Sequence, residues 1–564
     1  MGVTLSYIIG RKKRGLGLVE GGSAQGRLEA WKTHFTKLLG QPPQVPSEDL
    51  EVGTVHPLLD IKTDVFDQNE LGDAKKQISE GKAYGDDRIP PEVLKRVDID
   101  HIILDFCNRA LINEEVPDQW KRLNIIPVPK KGDLTKTENY RGIALTSIVS
   151  KTLNRMILNR IKPELDPLLR INQNGFRTGR STTSHILALR RILQEVRAKN
   201  LTAVMLFIDF RKAFDSIHRG LLMKILLAYG IPQELVDLIR RMYDGTLARV
   251  LTEDGLTEAF LILAGVMQGD TLAPYLFIIV IDYVMRVCLE GKDFGLTLQQ
   301  RRSSRHPAVK LTDADFADDL ALLTDTTAEA QEFLLCLEEA AHSVGLHLNE
   351  SKTKYISVNC PDTVIRAASG KEIDKVEDFV YLGSWVNDSV HDFMVRKAKA
   401  WAACHQLKNI WKSDMRRELK VRLFQATVES VLLYGSETWT VTKTLSKKID
   451  GCYTRMLRMA LNIYWPIKIR NNELYRSLPK VSSKIQERRM SLAGHIWRHD
   501  DLVAHSVLFW DPKHGHRSRG RPKKTYFDTL CDDTGLRDAA EMQRLMDDRV
   551  LWRNNIPARS YYPP

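Results

Sequence analysis

"KLTDADFADDLALLTD", residues 310–325, places Asp313, Asp315, Asp318 and Asp319 within seven positions and then returns to apolar sequence. Carboxylates repel one another, and an ionised one beside a core is costly unless a cation or donor meets it. Apolar runs flank the turn-compatible "ADD", so the stretch predicts a β-hairpin with Asp318 and Asp319 at its tip. Taken alone, that pattern fits a surface turn as well as a site.

A second stretch changes the balance. In "AVMLFIDFRKAFDS", residues 203–216, six consecutive apolar residues predict a central strand that delivers Asp209 at its C-terminal end. Asp209 needs a partner: Arg211 or Lys212 in a salt bridge, or a divalent metal shared with the hairpin carboxylates. Mg²⁺ takes oxygen ligands, and two such ions about 3.5–4 Å apart clamp the attacking and leaving oxygens of phosphoryl transfer. Three converging aspartates would serve that chemistry, although spacing alone does not bring them together.

Outward from these two stretches, the class is mixed, α/β or α+β. Helical segments alternate with short apolar runs such as "NIIPVPK" from about residue 66 to 360. Before them, "GRLEAWKTHFTKLLG" (26–40) predicts an isolated helix, and the Pro-rich "QPPQVPSEDLEVGTVHP" (41–57) a linker. Residues 390–465 lose strand signals and suit a helical bundle with one basic face. The tail after about 480 is more polar and more basic. The apolar "APYLFIIVIDYVM" (273–285) is short of the roughly 20 residues a membrane span needs and contains an aspartate, so it predicts a buried helix and no membrane association.

At 564 residues and 43% hydrophobic, the chain can bury several cores. Its net charge of +12 favours polyanionic partners such as nucleic acid. Seven scattered cysteines, never spaced as CxxC, suit reduced thiols in an intracellular compartment, nucleus or cytoplasm. His495 and His499 have helical i, i+4 spacing, but no further ligand pattern completes a zinc set, so surface histidines are the better expectation. "MGVTLS" at the start fits a myristoylation pattern, though a truncated or arbitrary start is the better expectation, and "RKKR" (11–14) fits a nuclear import signal or, equally, a solvated basic turn.

"FIDFRKAFDSIHR", "GVMQGDTLAPYLF" (265–277) and "FADDLALL" occur in the order and rough spacing of the palm motifs of reverse transcriptases, and most resemble those of non-LTR, LINE-type retrotransposons. "GDDRIPPEVLK" (85–95), "WKRLNIIPVPKKGD" (120–133), "ENYRGIALTSIVSKTLNRMI" (138–157) and "QNGFRTGRSTTSHI" (173–186) resemble the fingers motifs of that family. Downstream, "GLHLNESKTKYI" (345–356) and "FVYLGSWV" (379–386) resemble later palm motifs, and "LLYGSETW" (432–439) the thumb.

The resemblance implies a right-hand polymerase: an N-terminal helix and linker (1–65), fingers (66–200), a palm with an antiparallel sheet (201–388), a helical thumb (389–465) and a basic C-terminal region (466–564). It implies RNA-directed DNA synthesis from an RNA template, a DNA primer and dNTPs, with two Mg²⁺ ions, or Mn²⁺. Asp209, Asp318 and Asp319 match the metal-binding triad, and Lys352 the lysine that protonates departing pyrophosphate. Arg141 matches the fingers arginine on the incoming triphosphate, and Arg211 is grouped with it as substrate-binding. Phe214 matches the aromatic gate against a ribonucleotide 2′-OH, and Gln268 and Gly269 the pair lining the nascent base pair. Phe379, Tyr381, Leu382 and Gly383 match the primer grip.

The chain departs from the family where Gly142, not proline, follows Arg141, where Arg88 replaces a frequent glycine, and where Asp270 replaces a small residue. About 65 residues precede the first motif and show no metal-site pattern, so the expectation is a polymerase part without an endonuclease. In the tail, Arg519, Arg521, Lys523 and Lys524 surround an RGRP core suited to an A·T minor groove, or else form a general phosphate-contacting loop. The alternative to an enzyme is a decayed or domesticated remnant that binds RNA or DNA without turnover.

Overall fold

The apolar run Ala203–Ile208 is a strand whose six side chains are all buried, because both its faces are covered. Val204, Leu206 and Ile208 enter one core, while Ala203, Met205 and Phe207 enter another. That is why the run shows no polar alternation in sequence. The strand is the middle of a five-stranded sheet in the order Asp374–Lys375, Lys354–Val358, Ala203–Ile208, Asp319–Thr324, Asp313–Phe316. The Ala203–Ile208 strand is antiparallel to both neighbours, and the two aspartate-bearing strands form the predicted hairpin. This computed structural model describes residues 19–562 apart from 48, 97, 131, 362 and 517–521.

Helices Arg219–Ala228, Ala273–Leu289 and Thr327–Ser343 cover the first face. Ala273–Leu289 holds the longest apolar stretch of the sequence and is buried along nearly its whole length. Among the described residues no helix is long and apolar enough to cross a membrane.

Helix Thr182–Ala198 and, behind it, the C-terminal segment cover the second face. Met490, Leu508, Tyr526 and Leu530 share a core with Met205 and Phe207. Trp510 Nε1 donates to Leu298 O at 2.8 Å, and Arg191 donates to Leu508 O and Trp510 O at 3.2 and 2.9 Å. The polar composition of the tail hides these inward-facing residues, which make it a structural wall of the sheet.

A second sheet sets Arg122–Pro129 between Tyr140–Leu145, antiparallel, and Leu247–Thr252, parallel. Helix Ala24–Leu39 is not isolated, as its sequence predicts, but lies over this sheet. Trp31 meets Tyr140 edge-on at 4.8 Å, Phe35 is fully buried, and Arg27 forks onto Asp254 at 2.8 and 2.5 Å. A Cβ on Gly142 would stand 2.6 Å from the Phe35 ring. Glycine after Arg141 is thus the residue that admits this helix.

Residues 389–485 are helical around a third core built on Phe393, Trp439 and Tyr453. Its junction with the sheet domain is Asp392, which is buried and accepts from Arg190 (3.0 Å), Ser384 Oγ (2.7 Å), Trp439 Nε1 (2.8 Å) and Trp385 N (3.2 Å). Burial opposes the charge, but Arg190 and these donors prevail and hold the Asp392 carboxyl below its ordinary range.

Candidate active site

Strand register assembles the site. Leu320 pairs with Ile208, so one further step sets Asp319 opposite Asp209 at the end of the central strand. Asp319 also closes the hairpin against Phe316, leaving Ala317 and Asp318 as its two-residue turn. Ala317 has φ +56, the left-handed region that primed hairpin turns usually give to glycine.

Gln173 braces that turn, and sequence reading assigned it no role. Its Oε1 accepts from Ala317 N and Gly175 N, both at 2.7 Å, and its Nε2 donates to Ala317 O at 3.3 Å. Asn174 N donates to Asp315 O (2.8 Å) and Asp315 N to Asn172 O (2.9 Å), so residues 172–174 run alongside the hairpin as an added edge. A Cβ on Gly175 would sit 2.4 Å from Ala317 N. The signal lay in "QNGF", where a glutamine precedes a glycine that must approach backbone closely.

The four aspartates divide by role. Asp313 and Asp315 are buried, and Arg170 ion-pairs with both, with Asp315 at 3.4 Å. Asp318 and Asp319 sit at the turn instead, and Asp319 lines a cleft. Burial, then the charges of Asp318 and Asp209, push the Asp319 carboxyl up to about 6. Burial also raises Asp318, aided by Asp209 and opposed by the cations Arg141 and Lys352.

A cleft of about 600 Å³ is lined by Asp209, Asp319, Lys352 and the segment Phe379–Gly383. Lys352 Nζ lies 3.4 Å from Asp209 Oδ2 and its side chain is 68% exposed, free to swing toward a ligand. Phe379 stacks on Phe207 at 4.3 Å, and Tyr381 OH donates to Ala314 O at 2.6 Å. Leu382 and Gly383, φ +48 and +80, form the turn between Tyr381 and Ser384. A leucine in that left-handed position is strained, and it stands at the cleft wall.

Phe214 stacks on Phe277 at 4.2 Å and meets Phe176 edge-on at 6.3 Å. Its carbonyl accepts from Val266 N at 2.8 Å, and any Cβ on Gly265 would stand 2.5 Å from that oxygen. Gln268 Nε2 donates to Asp215 at 3.0 Å, while Gln268 O accepts from Ala144 N at 2.7 Å. Gly269, φ +112, leaves no room for a side chain against Ala144 O, so this turn is pinned to the strand that carries Arg141. Arg141 and Arg211 are exposed, with Arg211 3.9 Å from Glu350. Asp270 is buried and accepts from Asn154 Nδ2 at 2.8 Å, so its carboxylate serves the fold.

Among the described residues no three His, Cys, Asp or Glu side chains gather closely enough to hold an ion, so Asp209 and Asp319 share a cleft, with Asp318 next to them in the turn, without forming a closed ligand set. Their chemistry nevertheless fits a hard divalent cation. Asp209 Oδ2 is buried and met only by the Lys352 ion pair, with no hydrogen bond, and the surrounding carboxylates repel one another. In the tail, Lys523 is exposed, and Lys524 is spent on Val441 O (2.9 Å) and Asp532 (2.7 Å). Arg519 and Arg521 lie outside the described residues.

Residues 128–386 match the family of reverse transcriptases, RNA-dependent DNA polymerases. The chain is 24% identical over 410 residues to the Pol polyprotein of the type-1 retrotransposable element R2 of Popillia japonica, covering 68% of this chain and 56% of that protein. It is 25% identical over 458 residues to the RNA-directed DNA polymerase of the mobile element jockey of Drosophila funebris, covering 76% of this chain and 47% of that protein. The chain thus spans about half the length of these curated relatives. With the aspartate hairpin and the buried central strand beside these likenesses, residues 128–386 carry a reverse transcriptase domain, and the chain around it is similar to proteins of retrotransposable and mobile elements.

Proposed function

We propose that this chain extends a DNA primer with deoxynucleotides on an RNA template, with residues 66–200 acting as fingers, 201–388 as palm and 389–465 as thumb. The observation that carries the reading is the strand register that sets Asp319 opposite Asp209 in a cleft shared with Lys352 and Phe379–Gly383. Asp209, Asp318 and Asp319 would hold two Mg²⁺ or Mn²⁺ ions, which when bound supply charge for activating the primer 3′-OH and for stabilising the departing pyrophosphate.

The chain's own residues do the rest. Arg141 offers a planar fork of donors to the incoming triphosphate. Lys352 Nζ, exposed beside Asp209, can give a proton to the leaving pyrophosphate. The Phe214 ring, fixed by its stack on Phe277, fills the space a ribose 2′-OH would need. Gln268 and Gly269 present pinned backbone to the new base pair, and Phe379–Gly383 seat the primer end.

The test is extension of a labelled DNA primer annealed to RNA, with Mg²⁺ and dNTPs. DNA product of template length supports the reading. Tight primer–template binding without product would instead make the chain a nucleic-acid-binding remnant.

A further inference from the structure

A second cleft, of about 950 Å³, opens in the C-terminal region between helix Val481–Trp497 and helix Arg549–Asn554. Its charges do not cancel. Glu487 is taken by Arg559 in a two-bond fork at 2.7 and 3.0 Å, and Asp501 is taken by Arg180 at 2.7 Å. Arg498, Arg549 and Arg553 remain, and among the described residues none of the three has an ion pair. Arg549 and Arg553 are exposed, while Arg498 donates to Met546 O at 2.8 Å. His495 and His499 add two imidazoles whose rings stand 4.3 Å apart. Three like charges around one cleft repel one another in the free protein, and an anion relieves that repulsion.

The cleft is joined to the candidate active site by one short loop. Gly175 packs on Ala317 beside Asp318, and Phe176 stands edge-on to Phe214. Gly179 O lies 3.3 Å from His495 Nε2, and Arg180 reaches Asp501. Four residues of chain from Gly175 to Gly179 span at most about 14 Å.

We infer that this cleft binds the phosphodiester backbone of a single nucleic-acid strand, with Arg498, Arg549 and Arg553 as its phosphate contacts. The choice of nucleic acid as the polyanion rests on the polymerase reading. The cleft's dimensions admit a few nucleotides of one strand, and the connecting loop would guide that strand between the cleft and the aspartate hairpin.

The experiment is a salt titration of single-stranded RNA binding to the full chain, read by fluorescence anisotropy, for the parent and for Arg549→Gln/Arg553→Gln. Each phosphate contact on a single strand contributes about 0.7 to the slope of log affinity against log salt. The double variant should lower that slope by about 1.4 and weaken binding about tenfold at 0.15 M salt. Arg549→Lys/Arg553→Lys should keep the slope, and Arg109→Gln/Arg240→Gln, which removes arginines outside the cleft, should leave it unchanged. Because the replaced side chains are exposed, thermal melting should be unmoved. Unchanged slope and affinity in the glutamine variant, or an equal loss in the Arg109/Arg240 control, overturns the inference. Since binding is read without turnover, absence of primer extension would count against the proposed function alone.

Discussion

Ala317 holds a backbone conformation that costs an L-residue about 1–2 kcal/mol, one position before Asp318. Gln173 satisfies both polar groups of that residue. Gln173→Leu would strand the buried Ala317 and Gly175 amides, at about 1–3 kcal/mol for an unmet buried group. We expect a loss of about 2–4 kcal/mol in chemical denaturation and an extension rate at least tenfold lower, because small misplacements of reacting groups are costly. Gln173→Glu, which keeps the acceptor oxygen, should fall between parent and Leu in both measurements. Arg88 is a converse case. It stands at φ +57, exposed, where the resembling family often has glycine. Arg88→Gly should therefore stabilise the chain by about 0.5–1 kcal/mol, the relief of left-handed strain less the extra backbone entropy of glycine; an unfolding midpoint moved downward would contradict this.

Among elements, the junction at Asp392 ties helix Ser389–Gln406 to helix Thr182–Ala198 through Arg190. Removing one partner of a buried pair leaves an uncompensated charge and costs about 3–5 kcal/mol. Asp392→Ala should lower stability by that amount, and the helical region from residue 389 should become accessible to protease before the sheet does. Equal protection of both regions would show the junction to be dispensable. The elements also mark how far sequence could be read. The central strand and the aspartate hairpin were legible because a run of six apolar residues and a turn flanked by apolar runs are local signals. Helix Ala24–Leu39 was legible as a helix, but not as a lid on the second sheet, because Phe35 meets Gly142 more than a hundred residues away.

At the scale of the whole molecule, the hardest features to read were those that depend on which face a residue presents. Asp313 and Asp315 look like members of one acidic cluster with Asp318 and Asp319, yet Arg170 claims them in the interior. The tail looks like a basic appendage by composition, yet Met490, Leu508, Trp510 and Leu530 close one face of the sheet that carries Asp209. The candidate aspartates, by contrast, follow from motif order, and the structure brings Asp209 and Asp319 into register at one cleft. In the proposed function these carboxylates perform the chemistry and hold neither the fold nor the nucleic acid. The direct measurement compares the parent with Asp318→Asn for both primer–template affinity and DNA synthesis on an RNA template. Affinity should stay within about threefold and synthesis fall at least a thousandfold, about 4 kcal/mol of transition-state stabilisation. Synthesis retained by the asparagine variant would contradict that function.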